Sequence, residues 1–143
     1  MQNNAMISVV DGQGGGIGKS IVAKLRKQIP KEMGVTICAL GTNSAATNNM
    51  LKAGADVCAT GENAIVRNAA ESDVIIGSVA ILAANSMMGE LTPKMALAIS
   101  SSHACKILIP LNRCNIIIPI EQEATTDSYI EAGVRMAIEY INR

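Results

Sequence analysis

Residues 9–20 read VVDGQGGGIGKS, in which an apolar run ends at a glycine-rich turn that leads into an amphipathic stretch. Five of the 12 glycines in the chain fall within this turn, although glycine loses more backbone entropy on ordering than any other residue. A strand, a glycine turn and a helix N-terminus together present free backbone N–H groups and the positive end of a helix dipole, which favour a bound phosphate. The stretch therefore predicts a phosphate-binding loop made of Asp11, Gly12, Gln13, Gly14, Gly15, Gly16, Ile17, Gly18 and Lys19.

The glycine spacing separates three phosphate-loop templates. The nucleoside-triphosphate loop requires a glycine where Gln13 stands, and the dinucleotide fingerprint G-x-G-x-x-G requires one where Ile17 stands. The spacing that fits is glycine, three residues, glycine, one residue, glycine, at Gly12, Gly16 and Gly18. This turn resembles the cofactor turn of the short-chain dehydrogenases. The resemblance implies that Gly12 forms a tight turn, that Gly16 admits the phosphate and that Gly18 lets the helix pack against the strand.

Two features depart from that family. Asp11 stands where those enzymes carry a neutral residue, and a carboxylate repels a phosphate unless N–H groups or a metal offset its charge. We expect Asp11 to bond to the glycine turn itself. The catalytic Tyr-x-x-x-Lys is absent, because Gly133 follows Tyr129 by four residues. A tight strand-to-helix turn that binds no ligand is an alternative interpretation of the whole loop.

Composition excludes several classes of partner. The 12 basic and 12 acidic residues balance, which leaves no electrostatic footprint for nucleic acid or an anionic membrane. With two Tyr and neither Trp nor Phe, the chain lacks the aromatic side chains on which single-stranded nucleic acid stacks. The longest near-apolar run, residues 74–84, is far shorter than the roughly 20 residues that span a bilayer. We expect a cytoplasmic protein with one domain over residues 1–143 and neither nucleic acid nor membrane as partner.

The four cysteines carry no metal signature. None of them is part of a C-x-x-C pair, and His103 with Cys105 and Cys114 has no second ligand pair to complete a zinc site. We expect no metal and no disulfide.

Short apolar runs alternate with helical stretches along the chain. Runs without polar alternation are typical of strands buried on both faces, so the pattern predicts a three-layer, Rossmann-like α/β domain with a parallel sheet in the order 3-2-1-4-5. The predicted strands are Met6–Asp11, Val35–Leu40, Ala55–Ala59, Asp73–Gly77, Lys106–Pro110 and Asn115–Ile120. The predicted helices are Ile17–Ile29, Asn43–Ala53, Glu62–Ala69, Thr92–Ser100 and Ile130–Ile141.

The sixth predicted strand differs from the others. Only Leu111–Cys114 separate it from the fifth, whereas a parallel crossover needs a dozen or more residues. Pro119 also favours an edge position. We therefore expect this strand beside the fifth, antiparallel to it or off the sheet.

In parallel sheets of this kind a ligand lies beyond the carboxyl ends of the strands, at the point where the strand order reverses. The strand ends add these candidate cofactor-binding residues: Thr42, Asn43, Thr60, Glu62, Asn63, Ser78, Asn112 and Arg113. For Thr42 or Thr60 taken singly, helix capping is the favoured explanation, and a surface ion pair with Glu121 or Glu123 explains Arg113 equally well. The second strand ends without the acid that grips an adenosine ribose or the arginine that binds a 2′-phosphate, which leaves NAD and NADP both open.

Over nearly its whole length the chain resembles a small family of bacterial proteins of unknown function. The segments that carry the resemblance are VVDGQGGGIGK (9–19), ALGTNSAAT (39–47), ATGENAIVRNA (59–69), ANSMMGELTP (84–93) and KILIPLNRCN (106–115). The resemblance implies a Rossmann-like fold and no established activity.

The strand ends offer no acid–base constellation, since only Asp11, Glu62 and Cys114 titrate there. We therefore interpret the chain as a protein that binds a nucleotide or dinucleotide, NAD(P) or another, in a regulatory or accessory role. Its partner would be a phosphorylated small molecule. The alternatives are a small NAD(P)-dependent oxidoreductase and a protein-interaction module without a ligand.

The connection from Ser78 to Cys105 is 28 residues long, longer than one helix and two short loops require, which predicts an extra element. Its first half, Ser78–Leu91, is rich in apolar residues and contains Met87 and Met88. Either this half is a helix buried against the sheet or it forms a methionine-rich patch through which a homodimer associates.

Overall fold

The computed structural model describes residues 4–112, 115–121 and 124–143. In this part of the chain strands and helices alternate, and neighbouring strands of the sheet pair in parallel in the order β3-β2-β1-β4-β5. The predicted three-layer architecture and strand order are confirmed. The elements are β1 (Met6–Asp11), α1 (Gly16–Gln28), β2 (Thr36–Gly41), α2 (Ser44–Lys52), β3 (Val57–Thr60), α3 (Glu62–Glu71), β4 (Val74–Ser78), α4 (Pro93–Ser101), β5 (Cys105–Ile109) and α5 (Thr126–Ile141).

Apolar side chains alternate between two cores, one on each face of the sheet. Ile7 and Val9 of β1 face the core formed with α1 and α5, whereas Val10 faces the core formed with α3 and α4. All three are at most 1% exposed. Burial on both faces explains why the strands read as continuous apolar runs. No helix among the described residues is both long and apolar enough to cross a membrane.

The helices begin in two different ways. At α2, Asn43 Oδ1 accepts the Ala46 N–H at 2.9 Å, and at α4 Thr92 Oγ1 accepts the Met95 N–H at 3.2 Å. Such side-chain caps satisfy N–H groups that the helix leaves unpaired. Helix α1 instead starts after Gly15, whose backbone is left-handed (φ 71°) and which supplies no side-chain cap. The first N–H groups of α1 are therefore available to other partners.

The sixth predicted strand, Asn115–Ile120, is wrong. Residues 115–120 form a turn and irregular chain, in which Ile118 N–H donates to Asn112 Oδ1 at 2.9 Å and Ile120 N–H to Ile118 O at 2.8 Å. Asn115 is left-handed (φ 61°), and Pro119 has no N–H to donate to a ladder. The apolar residues of this run resemble a buried strand, but Ile117 is 82% exposed.

The segment after β4 contains the predicted extra element. A short 3-10 helix spans Val79–Leu82, and it leads into the 86–91 hairpin, in which Ser86 and Leu91 form an antiparallel bridge. Ile81 and Leu91 are fully buried and Met87 is 8% exposed, whereas Met88 is 94% exposed. Most of the expected methionine-rich patch is thus part of the core, and the homodimer stays a prediction.

Candidate functional site

Side chains of α2 and of its N-cap residue hold the loop that joins β1 to α1. Asn43 Nδ2 donates to Gln13 O at 3.0 Å, and Asn49 Nδ2 donates to Gly14 O at 2.9 Å. Gly15 lies against α2, where a Cβ would be 2.8 Å from Ala46 Cα. Because α2 binds the carbonyl groups of the loop, the loop is fixed in place before any ligand arrives.

Asp11, at the end of β1, bonds to the glycine turn as expected. Its Oδ1 accepts the Gly12 N–H at 2.8 Å and its Oδ2 accepts the Gly18 N–H at 2.6 Å. The residue is 7% exposed. Both carboxylate oxygens therefore hold the strand, the turn and the first turn of α1 together, and the N–H groups offset the buried charge.

The other N–H groups at the start of α1 remain available. Within the described residues, no acceptor bonds to the N–H groups of Gly14, Gly16 or Ile17. All three residues line a pocket of about 330 Å³ between the ends of β1 and β4. The sheet order reverses between these two strands, which is where ligands bind in open α/β sheets.

Ser78 closes the opposite side of this pocket at the end of β4. The residue is only 7% exposed, and its hydroxyl has no hydrogen-bond partner in the part of the chain that the structure describes. Because Ser78 lines the pocket, its hydroxyl is available to a polar group that enters the pocket.

Glu90, in the 86–91 hairpin, is a site residue that sequence analysis missed. Its Oε1 accepts hydrogen bonds from Thr42 Oγ1 at 2.7 Å, from Gln13 N–H at 2.8 Å and from Asn43 Nδ2 at 2.8 Å. The hydrogen bonds from Thr42, Gln13 and Asn43 hold the pKa of Glu90 below its ordinary value. A carboxylate therefore lies at the end of β2, although the sequence of β2 carries none.

Some of the predicted site residues line the pocket and others do not. Residues 11–17 and Ser78 line the pocket, together with Ala80, Met87 and Met88, which were not among the predicted residues. Thr42 and Asn43, predicted as cofactor-binding residues, both donate hydrogen bonds to Glu90. Gly18 packs under the loop, and Lys19 is exposed outside the pocket lining.

The remaining predicted residues lie away from the pocket. Thr60 Oγ1 pairs with Thr47 Oγ1 at 2.7 Å, and Glu62 Oε2 accepts the Thr92 hydroxyl at 2.6 Å. Asn63 is exposed at the start of α3, and Asn112 belongs to a separate cavity beside α5. Arg113 and Cys114 are outside the described residues. No cluster of three or more metal-ligating side chains occurs in residues 4–112, 115–121 and 124–143.

Gly18 gives a direct test of the packing beneath the loop. A Cβ there would lie 2.6 Å from Met50 Sδ and 2.8 Å from Asp11 Cβ. Overpacking of this kind costs about 1–3 kcal/mol, part of which the higher helix propensity of alanine offsets. Gly18→Ala should therefore lower the free energy of unfolding by roughly 1–2 kcal/mol in urea denaturation.

The matched control is Gly14→Ala, since a Cβ at Gly14 has no atom within 4 Å. Its unfolding free energy should stay within about 0.5 kcal/mol of the wild type. Equal destabilisation by both changes would contradict the packing role of Gly18.

Similar solved structures include three of low identity. A probable oxidoreductase from Mycobacterium abscessus is 15% identical with a TM-score of 0.48, and the match covers 99% of this chain and 44% of that chain. The mycobacterial protein Rv1454c, solved with NADPH, is 12% identical with a TM-score of 0.48, and the match covers 99% and 47%. The chain thus spans less than half the length of these two proteins. A dodecameric FMN-dependent UbiX-like decarboxylase from Escherichia coli O157:H7 is 13% identical with a TM-score of 0.47, covering 97% and 94%.

No curated protein matches the sequence significantly. Residues 6–142 match a family model described as Domain of unknown function (DUF3842). The match extends over almost the whole chain, and the chain therefore belongs to the DUF3842 family.

Proposed function

We propose that this protein binds a nucleotide or dinucleotide, with a phosphate group on the loop between β1 and α1. The observation that carries the proposal is the convergence of unpartnered donors on one pocket. Gly14, Gly16 and Ile17, whose N–H groups have no acceptor among the described residues, line this pocket together with Ser78, which adds a hydroxyl. Backbone N–H groups at a helix N-terminus are the groups that bind phosphate in many proteins, because the helix dipole adds to their attraction for an anion.

The pocket supports binding better than it supports catalysis. Among the described residues that line it, Asp11 is the one with an ionisable side chain, and both of its oxygens already accept backbone N–H groups. A general acid or base must be able to reach the proton that it transfers. We therefore assign the protein a regulatory or accessory role in which ligand binding is the function.

Calorimetric titration with adenine, nicotinamide and flavin nucleotides tests the proposal. We expect saturable binding of at least one of them and a matching rise in the thermal midpoint, since a ligand that binds only the folded state stabilises it. Absence of heat and of any thermal shift with all of them would contradict the proposal and favour the interpretation as a ligand-free interaction module.

Ser78→Ala refines this test. A hydrogen bond to a charged group contributes about 1.5–3 kcal/mol, so loss of the hydroxyl should weaken nucleotide binding by about tenfold or more. The fold should tolerate the change, because no described protein group bonds to this hydroxyl. Ser100→Ala, at an exposed serine of α4, is the control and should leave affinity unchanged.

A further inference from the structure

We propose that the site accepts a phosphate monoester of mononucleotide size and excludes dinucleotides, because the 86–91 hairpin closes the β2 side of the loop. This inference rests on the proposed function, since it concerns the ligand of that same phosphate loop. It assigns Glu90 a specificity-determining role that the loop sequence by itself does not contain.

The first argument is steric. In open α/β sheets a dinucleotide crosses the point where the strand order reverses, so that its two nucleosides lie on opposite sides of the first strand. On the β2 side the space above Gly12 is filled. A Cβ at Gly12 would lie 2.5 Å from Thr42 Oγ1, 2.6 Å from Met87 Sδ and 3.2 Å from Glu90 Oε1. The Thr42, Met87 and Glu90 side chains thus occupy the space next to Gly12, and a second nucleoside on this side would have to displace the hairpin.

The second argument is the occupation of hydrogen-bond donors. The Gln13 N–H, the Thr42 hydroxyl and the Asn43 amide all converge on Glu90 Oε1. These are the groups at the ends of β1 and β2 that would otherwise meet the ribose and phosphate of a second nucleotide. The unoccupied donors, Gly14, Gly16, Ile17 and Ser78, all lie around the pocket between β1 and β4.

Charge and size support the same conclusion. A glutamate is ionised at neutral pH, and the hydrogen bonds at Oε1 lower the pKa of Glu90 further. A second phosphate beside Gln13 would meet this negative charge. The pocket of about 330 Å³ is at the lower end of the roughly 300–1,000 Å³ that ligand pockets span. One phosphate with one nucleoside suits this volume better than two of each.

Contacts at the base of the 86–91 hairpin also hold it in position. The Asn85 N–H donates to Leu91 O at 2.8 Å, and the Leu91 side chain is fully buried. Met87 and Met88 are both left-handed, with φ 56° and 57°. Bulky residues adopt this conformation only where their surroundings impose it. The bonds of Glu90 to the ends of β1 and β2 hold the tip of the hairpin against the loop. Removal of its carboxylate should therefore loosen the tip, while the buried Leu91 keeps the base of the hairpin in place.

Matched ligand pairs test the inference by calorimetry. The pairs are NMN and AMP against NAD, and FMN against FAD, with the full chain as the protein. We expect at least one mononucleotide to bind the wild type at least tenfold more tightly than the dinucleotide that contains it. In Glu90→Ala the ratio of mononucleotide affinity to dinucleotide affinity should fall to threefold or less, because the dinucleotide gains access to the site. Glu90→Gln, which keeps the size and removes the charge, should give an intermediate ratio and guards against misfolding of the alanine variant.

Glu71→Ala is the control, since Glu71 is an exposed glutamate of α3 that pairs with Arg67 and lies outside the pocket. It should leave the wild-type ratio unchanged. Dinucleotide binding as tight as mononucleotide binding in the wild type, abolished by Gly16→Asp, would overturn this inference and leave the proposed function intact. A ratio that stays above tenfold in both Glu90 variants would overturn the role of Glu90. Absence of binding by every ligand would overturn the proposed function and this inference together.

Discussion

Gly16→Asp is expected to abolish nucleotide binding while the protein stays at least as stable as the wild type. Gly16 is the first residue of α1 and lines the pocket, and a Cβ there would have no protein atom within 4 Å. The new side chain would thus enter the space assigned to the phosphate. Two like charges about 4 Å apart repel by about 4 kcal/mol near a protein surface, so the affinity should fall by about a hundredfold or more.

The free energy of unfolding of Gly16→Asp should rise slightly, although its affinity for nucleotide falls. The first turn of α1 contains no acidic residue, and an acidic side chain at a helix N-terminus stabilises the helix by about 0.3–1 kcal/mol. Urea denaturation and calorimetric titration of the same preparation would measure the two effects separately. A variant that is stable and binds nucleotide as tightly as the wild type would place the ligand elsewhere.

The matched control is Ser44→Asp. Ser44 is the first residue of α2, is exposed and also belongs to a helix without an acid in its first turn. It lies outside the pocket lining, so this variant adds the same charge at an equivalent position without entering the proposed phosphate space. It should bind nucleotide within about threefold of the wild type, because a solvent-exposed charge further from the site is screened.

The fold could be predicted because its signals are local. Each strand of the sheet is a short apolar run, and helix starts such as Thr92-Pro93 are encoded within a few residues. The strand order follows from the alternation of these runs with helices. The error at Asn115–Ile120 has the same origin, because an isoleucine-rich run has the composition of a buried strand. Whether such a run is buried depends on the neighbouring elements, which local sequence does not contain.

The site could be predicted only in part, for the same reason. The glycine turn and Ser78 lie at strand ends, and the topology brings them to one edge of the sheet. Glu90 instead reaches Gln13 across 77 residues of sequence and Thr42 across 48. The sequence marked its segment as a long, methionine-containing connection and as part of the resemblance at 84–93, but it indicated no role for Glu90. The position of this carboxylate depends on how the 86–91 hairpin folds back over the loop, which no motif in the chain indicates.

Asp11→Ala is expected to cause the largest loss of stability among single changes in the loop. The Asp11 carboxylate accepts two N–H groups, those of Gly12 and Gly18, and the residue is 7% exposed. Its removal leaves both donors without their acceptor in a buried region, and each such group costs about 1–3 kcal/mol. The free energy of unfolding should therefore fall by roughly 2–6 kcal/mol, which urea denaturation would measure.

Asp11→Asn distinguishes the contribution of the hydrogen bonds to stability from the contribution of side-chain packing. An asparagine has nearly the same shape, but its amide nitrogen cannot accept an N–H group, so it keeps one of the two bonds and should lose about half as much stability. The control is Asp127→Ala, since Asp127 has a side chain 68% exposed and pairs with Lys24 at the surface. Exposed ion pairs contribute about 0–1 kcal/mol. A similar small loss in Asp11→Ala would show that the N–H groups of the turn find other acceptors, and the loop would then owe its shape to the bonds from α2 instead.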